Sequence, residues 1–305
     1  MKLGLLTSAF PNLSLEQIAD WAANEGFKAL EIACWPQGSG AERRYAGVSH
    51  LDVATLTATT AAEINAMLTA RGLVISALAY YPNNLAPDLA EREAVNAHLR
   101  QVITAAALLG VGIVGTFVGR DPRRNVQANL DTFREVWPPL VAFAAEHDVR
   151  IAIENCPMLF SNDEWPGGLN LAYSPAIWRE MFAIIPDPHF GLNLDPSHLV
   201  WQMIDDERVV REFGPRIIHV HAKDMEIDHE GLYQHGVLSG GMGWQVPRLP
   251  GLGTIRWDRF IAALYAAGYN HVVSIEHEDR GFEGSEELVK RGFLIARNAL
   301  APYIA

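Results

Sequence analysis

Phe190-Gly191-Leu192-Asn193-Leu194-Asp195-Pro196-Ser197-His198 is a short apolar run that stops on a carboxylate. The run reads as a buried strand, and Asp195 as its carboxyl end passing into a loop. A carboxylate with a histidine three residues on is a poor finish for a hydrophobic core, because a buried charge needs a partner. It is a good way to hold a metal ion or a substrate hydroxyl. Three other runs end the same way: Ile151-Ala152-Ile153 before Glu154, Ile217-Ile218-His219-Val220 before His221, and Val272-Val273-Ser274-Ile275 before Glu276.

Outward from these, four earlier apolar runs read as strands: Lys2 to Ser8, Ala29 to Cys34, Leu73 to Ala79 and Gly112 to Phe117. Helical stretches lie between. Ser14 and Gln17 form a capping-box pattern that opens a helix to Glu25, closed by Gly26. Others are expected from Asp52 to Ala70, Glu91 to Leu109, Val126 to Glu146 (with Pro138 and Pro139 as a kink), from Ser174-Pro175, and over Asp206 to Phe213, Trp257 to Ala267 and Ser285 to Leu300. Loops are expected over Gln37 to His50 and Asn155 to Tyr173, and Lys223 to Gly253 reads as the longest irregular stretch. Such a loop is usually functional. Strands alternating with helices imply parallel pairing with crossovers. Eight such units predict an α/β fold, a (β/α)8 TIM barrel, as one domain over residues 1–305, with an active-site insertion at about 225–250. An open doubly wound sheet is the alternative, but no Gly-x-Gly-x-x-Gly follows the first strand.

Composition narrows the class. The chain has 305 residues, 49% hydrophobic and 20% charged, as expected for a soluble globular protein. Its net charge of -12 argues against a nucleic-acid partner. No apolar run is long enough for a membrane span, and the start does not read as a signal peptide. Cys34 and Cys156 show no framework pattern and read as reduced thiols, so the expected location is cytoplasmic.

In a barrel of this kind the active site lies at the carboxyl ends of the strands. Glu154, Asp195, His221 and Glu276 all sit there, on neighbouring strands five to eight. Any one alone could be an ordinary loop residue. Together, three carboxylates and an imidazole suit one divalent cation: manganese, magnesium, cobalt or zinc. His198 is a candidate substrate or second-sphere ligand, and Lys223 could bind a substrate oxygen or pair with Asp224. Glu31 ends strand two and is either catalytic or paired with a basic neighbour. His219 shares a face with His221 and reads as a core histidine. Trp35, Tyr80, Tyr81, Phe117 and Trp244 lie at strand exits or in the long loop, where aromatic faces could line a carbohydrate pocket.

At these residues the sequence resembles the xylose isomerase-like barrel superfamily, also called the sugar phosphate isomerase/epimerase family. The resemblance spans essentially the whole chain. It is carried by Ile153-Glu154-Asn155-Cys156-Pro157, Asn193-Leu194-Asp195-Pro196-Ser197-His198, His219-Val220-His221-Ala222-Lys223-Asp224, Pro250 to Trp257, and Ser274-Ile275-Glu276-His277. It implies that Glu154, Asp195, His221 and Glu276 bind one metal, commonly manganese. It also implies that Glu154 and Glu276 exchange protons with a sugar and that His198 contacts substrate or a metal-bound water. Tyr80-Tyr81-Pro82-Asn83-Asn84 is similar to a motif of a subgroup assigned to keto-sugar and glycoside catabolism, which makes Asn83 a substrate candidate. Two departures count against a free-ketose 3-epimerase. Ile227 lies where those enzymes have a substrate-binding arginine, and Asp228 to Arg248 is additional chain. That insertion covers the site or meets a second copy in a homo-oligomer. No phosphate-binding glycine loop or basic cluster is visible at a strand end.

The expectation is therefore a divalent-metal-dependent isomerase or epimerase that moves a proton next to a carbonyl through an enediolate, on a keto-sugar or keto-glycoside. A dehydratase or lyase on the same site is the alternative, and a non-catalytic sugar-binding barrel is a third. A DNA-repair endonuclease on this fold would need three metals and a histidine at the end of strand three, where the chain has Tyr80-Tyr81-Pro82.

Overall fold

Eight parallel strands close into a barrel in the computed structural model, which describes residues 1–36, 47–159, 168–239 and 243–304. The first seven strands are β1 (Lys2–Leu6), β2 (Ala29–Ala33), β3 (Val74–Ala79), β4 (Ile113–Thr116), β5 (Arg150–Glu154), β6 (Phe190–Leu194) and β7 (Ile217–Ala222). A two-stranded antiparallel hairpin follows, β8 (Asp224–Ile227) with β9 (Gln245–Arg248), and β10 (Val272–Ile275) then pairs with both β7 and β1 to close the ring. The expected barrel is the observed one. The barrel strands are short apolar runs because both faces are covered, one by helices and one by the barrel interior.

The helices are α1 (Leu15–Asn24), α2 (Ala58–Ala70), α3 (Leu89–Leu109), α4 (Val126–Glu146), α5 (Pro175–Ile184), α6 (Ser197–Val200), α7 (Asp206–Phe213), α8 (His229–His235), α9 (Trp257–Ala266) and α10 (Glu286–Leu300). The Ser14–Gln17 capping box is present. α2 begins six residues later than its sequence pattern suggests, because Thr57 and Thr60 make a capping box of their own there. α4 continues through Pro138 and Pro139. Closure of the ring is reinforced on the outside, where Phe293 of α10 stacks on Phe10 with ring centroids 5.2 Å apart and meets Phe27 edge-on. Burying such a ring stabilises the fold by roughly 2–3 kcal/mol.

Two expectations needed correction. The stretch after Lys223 is not irregular throughout, since it contains β8, α8 and β9. Glu154 is the last residue of its strand and His221 the next-to-last of its own, rather than beyond them. Residues 37–46 of the expected glycine-rich loop, 160–167 of the long loop after Asn155 and 240–242 of the insertion lie outside the described residues.

Candidate metal centre

Alternation along the strands sends Glu154, Asn193, Asp195, His219, His221 and Glu276 towards the inside of the ring at its carboxyl end. Two asparagines tie the exits together. Asn155 Nδ2 donates to the Asp195 carbonyl at 2.9 Å, and its Oδ1 accepts from the Asp195 N–H at 2.7 Å. Asn170 Nδ2 donates to the carbonyls of Glu154 (2.9 Å) and Cys156 (2.6 Å), while its Oδ1 accepts from the N–H groups of Val118 and Gly119. The exits of β4, β5 and β6 are thereby held in register. The Ser197 N–H donates to Asp195 Oδ1 at 2.8 Å, which leaves Oδ2 for the site.

The facing atoms are close. Glu154 Oε1 is 3.5 Å and Glu276 Oε2 3.3 Å from His221 Nδ1. Asp195 Oδ2 is 3.2 Å from His198 Nε2, itself 3.7 Å from Glu154 Oε1. These atoms form two triads, Glu154–His221–Glu276 and Glu154–Asp195–His198, each with its ligand atoms within 4.8 Å of one another. Glu154 belongs to both. Lys223 Nζ lies 2.7 Å from Glu276 Oε2, 3.1 Å from Asp195 Oδ2, 3.1 Å from Glu278 Oε2 and 4.0 Å from Glu154 Oε1. It turns away from Asp224, whose carboxylate is occupied elsewhere.

The residues fit a divalent metal on two observations. Glu154 Oε1, Asp195 Oδ2, His198 Nε2 and His221 Nδ1 are buried with no well-aligned hydrogen bond. Buried polar atoms are seldom left that way. Ligand atoms around a tetrahedral metal with bonds of about 2.1 Å stand about 3.4 Å apart. The 3.3 and 3.5 Å spacings around His221 Nδ1 agree with that.

Glu31 is paired with a basic neighbour, the second of the two roles its position allowed. Its Oε1 and Oε2 lie 3.0 and 2.9 Å from His221 Nε2. A carboxylate only accepts, so Nε2 carries the proton and Nδ1 is the nitrogen turned to Glu154 and Glu276. The rest of the chain of bonds follows from that. Tyr81 Oη donates to Glu31 Oε1 at 2.7 Å and accepts from Asn193 Nδ2 at 2.9 Å, and Asn193 Oδ1 accepts from His219 Nδ1 at 3.1 Å. Gly115 makes room for it, since a Cβ there would strike the Tyr81 hydroxyl.

The charges respond to these neighbours. Burial opposes ionisation of Glu31, but His221 beside it brings the carboxyl down to about 2. Burial holds the His219 imidazole down at about 3, against the pull of Glu31, and it stays neutral. Burial works against the Lys223 ammonium, yet Glu276, Glu278 and Asp195 hold it well above the usual lysine range. Glu276 is pushed up by burial, with Lys223 opposing and Glu154 adding. Glu154 falls below the usual range despite its burial, through His198 and His221.

Three substrate candidates lie elsewhere. Tyr80 packs edge-on against Trp35 and against His98 of α3, on the helix side of the barrel; Tyr81 is the one that faces inward. Asn83 uses its amide on the loop itself, with Oδ1 accepting from the N–H groups of Arg120 and Leu85 and Nδ2 donating to the Arg120 carbonyl. Trp244 is 2% exposed and packs with Trp201 and Met225 beneath the hairpin. Trp35 is half-buried and packs beside Leu6, Tyr81, Phe117 and Met158. His198 and Lys223 are at the centre. Asn155 and Asn170 carried no sequence signal beyond the neighbourhood of Glu154, and Glu278 only its closeness to Glu276.

A profile described as xylose isomerase-like TIM barrel matches residues 19–299. The chain belongs to that family. Within it, the chain is 28% identical over 306 residues to the uncharacterised protein YfiH of Bacillus subtilis (strain 168), covering 92% of this chain and 93% of that protein. Solved structures of similar fold include D-psicose 3-epimerase with D-tagatose from Clostridium cellulolyticum H10 (TM-score 0.72, 16% identity, 100% and 99% of the two chains). They also include the probable 3-DHS dehydratase AsbF of Bacillus anthracis (0.70, 19%, 99% and 99%) and the IolI protein with a bound zinc atom (0.70, 17%, 100% and 100%). At such identities the likeness is one of fold.

Proposed function

We propose that this xylose isomerase-like barrel is a divalent-metal-dependent isomerase or epimerase that moves a proton on the carbon next to a carbonyl of a keto-sugar or keto-glycoside. The observation that supports it most is the pair of carboxylates, Glu154 and Glu276, gathered at one imidazole nitrogen, at 3.5 and 3.3 Å. Glu154, Asp195, His221 and Glu276 would hold the metal, for which manganese is the first choice and magnesium, cobalt and zinc the others. When bound, it would stabilise the negative charge that develops on the substrate oxygens as the proton leaves. One of the two glutamates takes that proton and the other returns one, which is general base and general acid chemistry by two positioned groups. His198 and Lys223 are the donors placed to hold substrate oxygens. Asn155 and Asn170 keep the exits that carry Glu154 and Asp195 from drifting.

Elimination is the second reading, favoured by the likeness of fold to a probable dehydratase. The same base would start it, and the two readings part at the next step: the enediolate is reprotonated, or it expels a leaving group. The test is a panel of keto-sugars and keto-glycosides incubated with manganese-loaded protein in D2O. The proposal expects deuterium at the carbon next to the carbonyl, and loss of that exchange by at least about 100-fold in Glu154→Gln and Glu276→Gln. An unsaturated product would select elimination. Exchange that survives both substitutions would overturn the assignment of the two glutamates.

A further inference from the structure

Lys223 is the one full positive charge described within reach of this acidic cluster that is not a histidine, and its position is unusual. Its side chain is 2% exposed. The ammonium contacts Asp195 Oδ2 and Glu276 Oε2, two of the oxygens assigned above to the metal, at 3.1 and 2.7 Å. It also contacts Glu278 Oε2 at 3.1 Å, which is outside that ligand set and on a side chain 28% exposed.

The backbone beneath Lys223 cannot easily move. The next residue, Asp224, accepts hydrogen bonds from the N–H groups of Met225, Gly251 and Ile255 and from Trp257 Nε1. Any shift of the ammonium therefore comes from the lysine side chain rather than from its backbone. Glu154, Asp195, Glu276 and Glu278 all lie within 4.0 Å of its ammonium. Carboxylates so gathered repel one another unless a cation lies among them.

We propose that Lys223 is a built-in counter-cation that competes with the divalent metal for Asp195 and Glu276. Resting on the metal site assigned above, the inference has two parts. Before metal is loaded, the ammonium keeps the acidic cluster folded and charged. When metal takes Asp195 and Glu276, Lys223 gives up those oxygens and keeps Glu278, the side nearest solvent. The site is thereby tuned to bind its metal reversibly, because loading must displace one cation and leave it close to another.

The test is isothermal titration calorimetry of MnCl2 into wild type, Lys223→Met and Lys223→Arg, beside thermal unfolding of each with and without MnCl2. Lys223→Met is expected to bind manganese at least about tenfold more tightly, the lower end of what a neighbouring group changes in metal affinity. Without metal it should unfold at a lower temperature than wild type, and it should gain more on adding metal. Lys223→Arg should bind as wild type does. A purely structural lysine would lower the unfolding temperature of Lys223→Met without tightening metal binding, and that result overturns the proposal.

Reductive methylation of wild-type protein checks the same point without a variant. Peptide mass spectrometry should show Lys223 modified faster with MnCl2 than without it, and equal rates count against displacement. Wild type that binds no manganese while Lys223→Met does would support the competition. If neither binds, the metal reading itself falls, and this inference with it.

Discussion

His221 has two ring nitrogens, and the site uses them differently. Glu31 takes Nε2 at 2.9 and 3.0 Å, so Nδ1 is turned to Glu154 and Glu276. A carboxylate behind a metal-binding histidine fixes its tautomer and raises its basicity. Glu31→Gln keeps the shape but can present an N–H to Nε2, which favours the wrong tautomer. Manganese affinity should fall by about 10–100-fold in a calorimetric titration. Unchanged affinity would mean that Glu31 only packs against His221. None of this pairing could be read locally, because Glu31 and His221 are 190 residues apart and Glu31 and Tyr81 are 50 apart. Choosing between Tyr80 and Tyr81 by alternation also fails for a physical reason. The β2–β3 register shifts between Leu30 and Glu31, where Leu30 faces Ile75 and Glu31 faces Ala77. One extra residue on β3 reverses which side of the sheet each later side chain takes.

At the scale of elements, the motifs Lys223-Asp224 and Pro250 to Trp257 turn out to be one device. Asp224 lies at the start of β8, and its carboxylate binds the Gly251 and Ile255 N–H groups at 3.1 and 3.0 Å and Trp257 Nε1 at 2.8 Å. It anchors the loop that leads into α9 and closes the base of the hairpin. Gly253 belongs to the same device, since a Cβ there would meet the Asp224 carboxylate. Asp224→Ala would leave several buried N–H groups without acceptors. We expect a loss of about 3 kcal/mol or more in a urea titration. A change under about 0.5 kcal/mol would contradict the anchoring role. The barrel strands were legible in sequence because each is a short, mostly apolar run. β8 and β9 were not, because Asp224–Ile227 mixes polar and apolar residues and Gln245–Arg248 contains Pro247. Proline and short, half-exposed runs are weak strand signals.

Across the whole molecule the barrel interior departs from the usual packing of bulky branched side chains. Glu31, Tyr81, Asn193, His219 and His221 are buried there and linked by a directed chain of hydrogen bonds. Replacing such a buried ionic network by well-packed apolar side chains is often neutral or stabilising, so its presence points to a constraint other than stability. The four strand-end residues were legible from sequence because each stands at the same place in its own unit. Their support was not legible, since Asn155, Asn170 and Glu278 act through loops whose contacts only the closed ring brings about.

The proposed site holds one metal at this end of the barrel, through Glu154, Asp195, His221 and Glu276. The direct measurement is metal content by inductively coupled plasma mass spectrometry, on protein reconstituted with manganese and desalted, beside Asp195→Asn treated identically. We predict about one metal per chain in wild type and a loss of most of it in the variant. No retained metal in wild type, or equal metal in both, would overturn the proposed site.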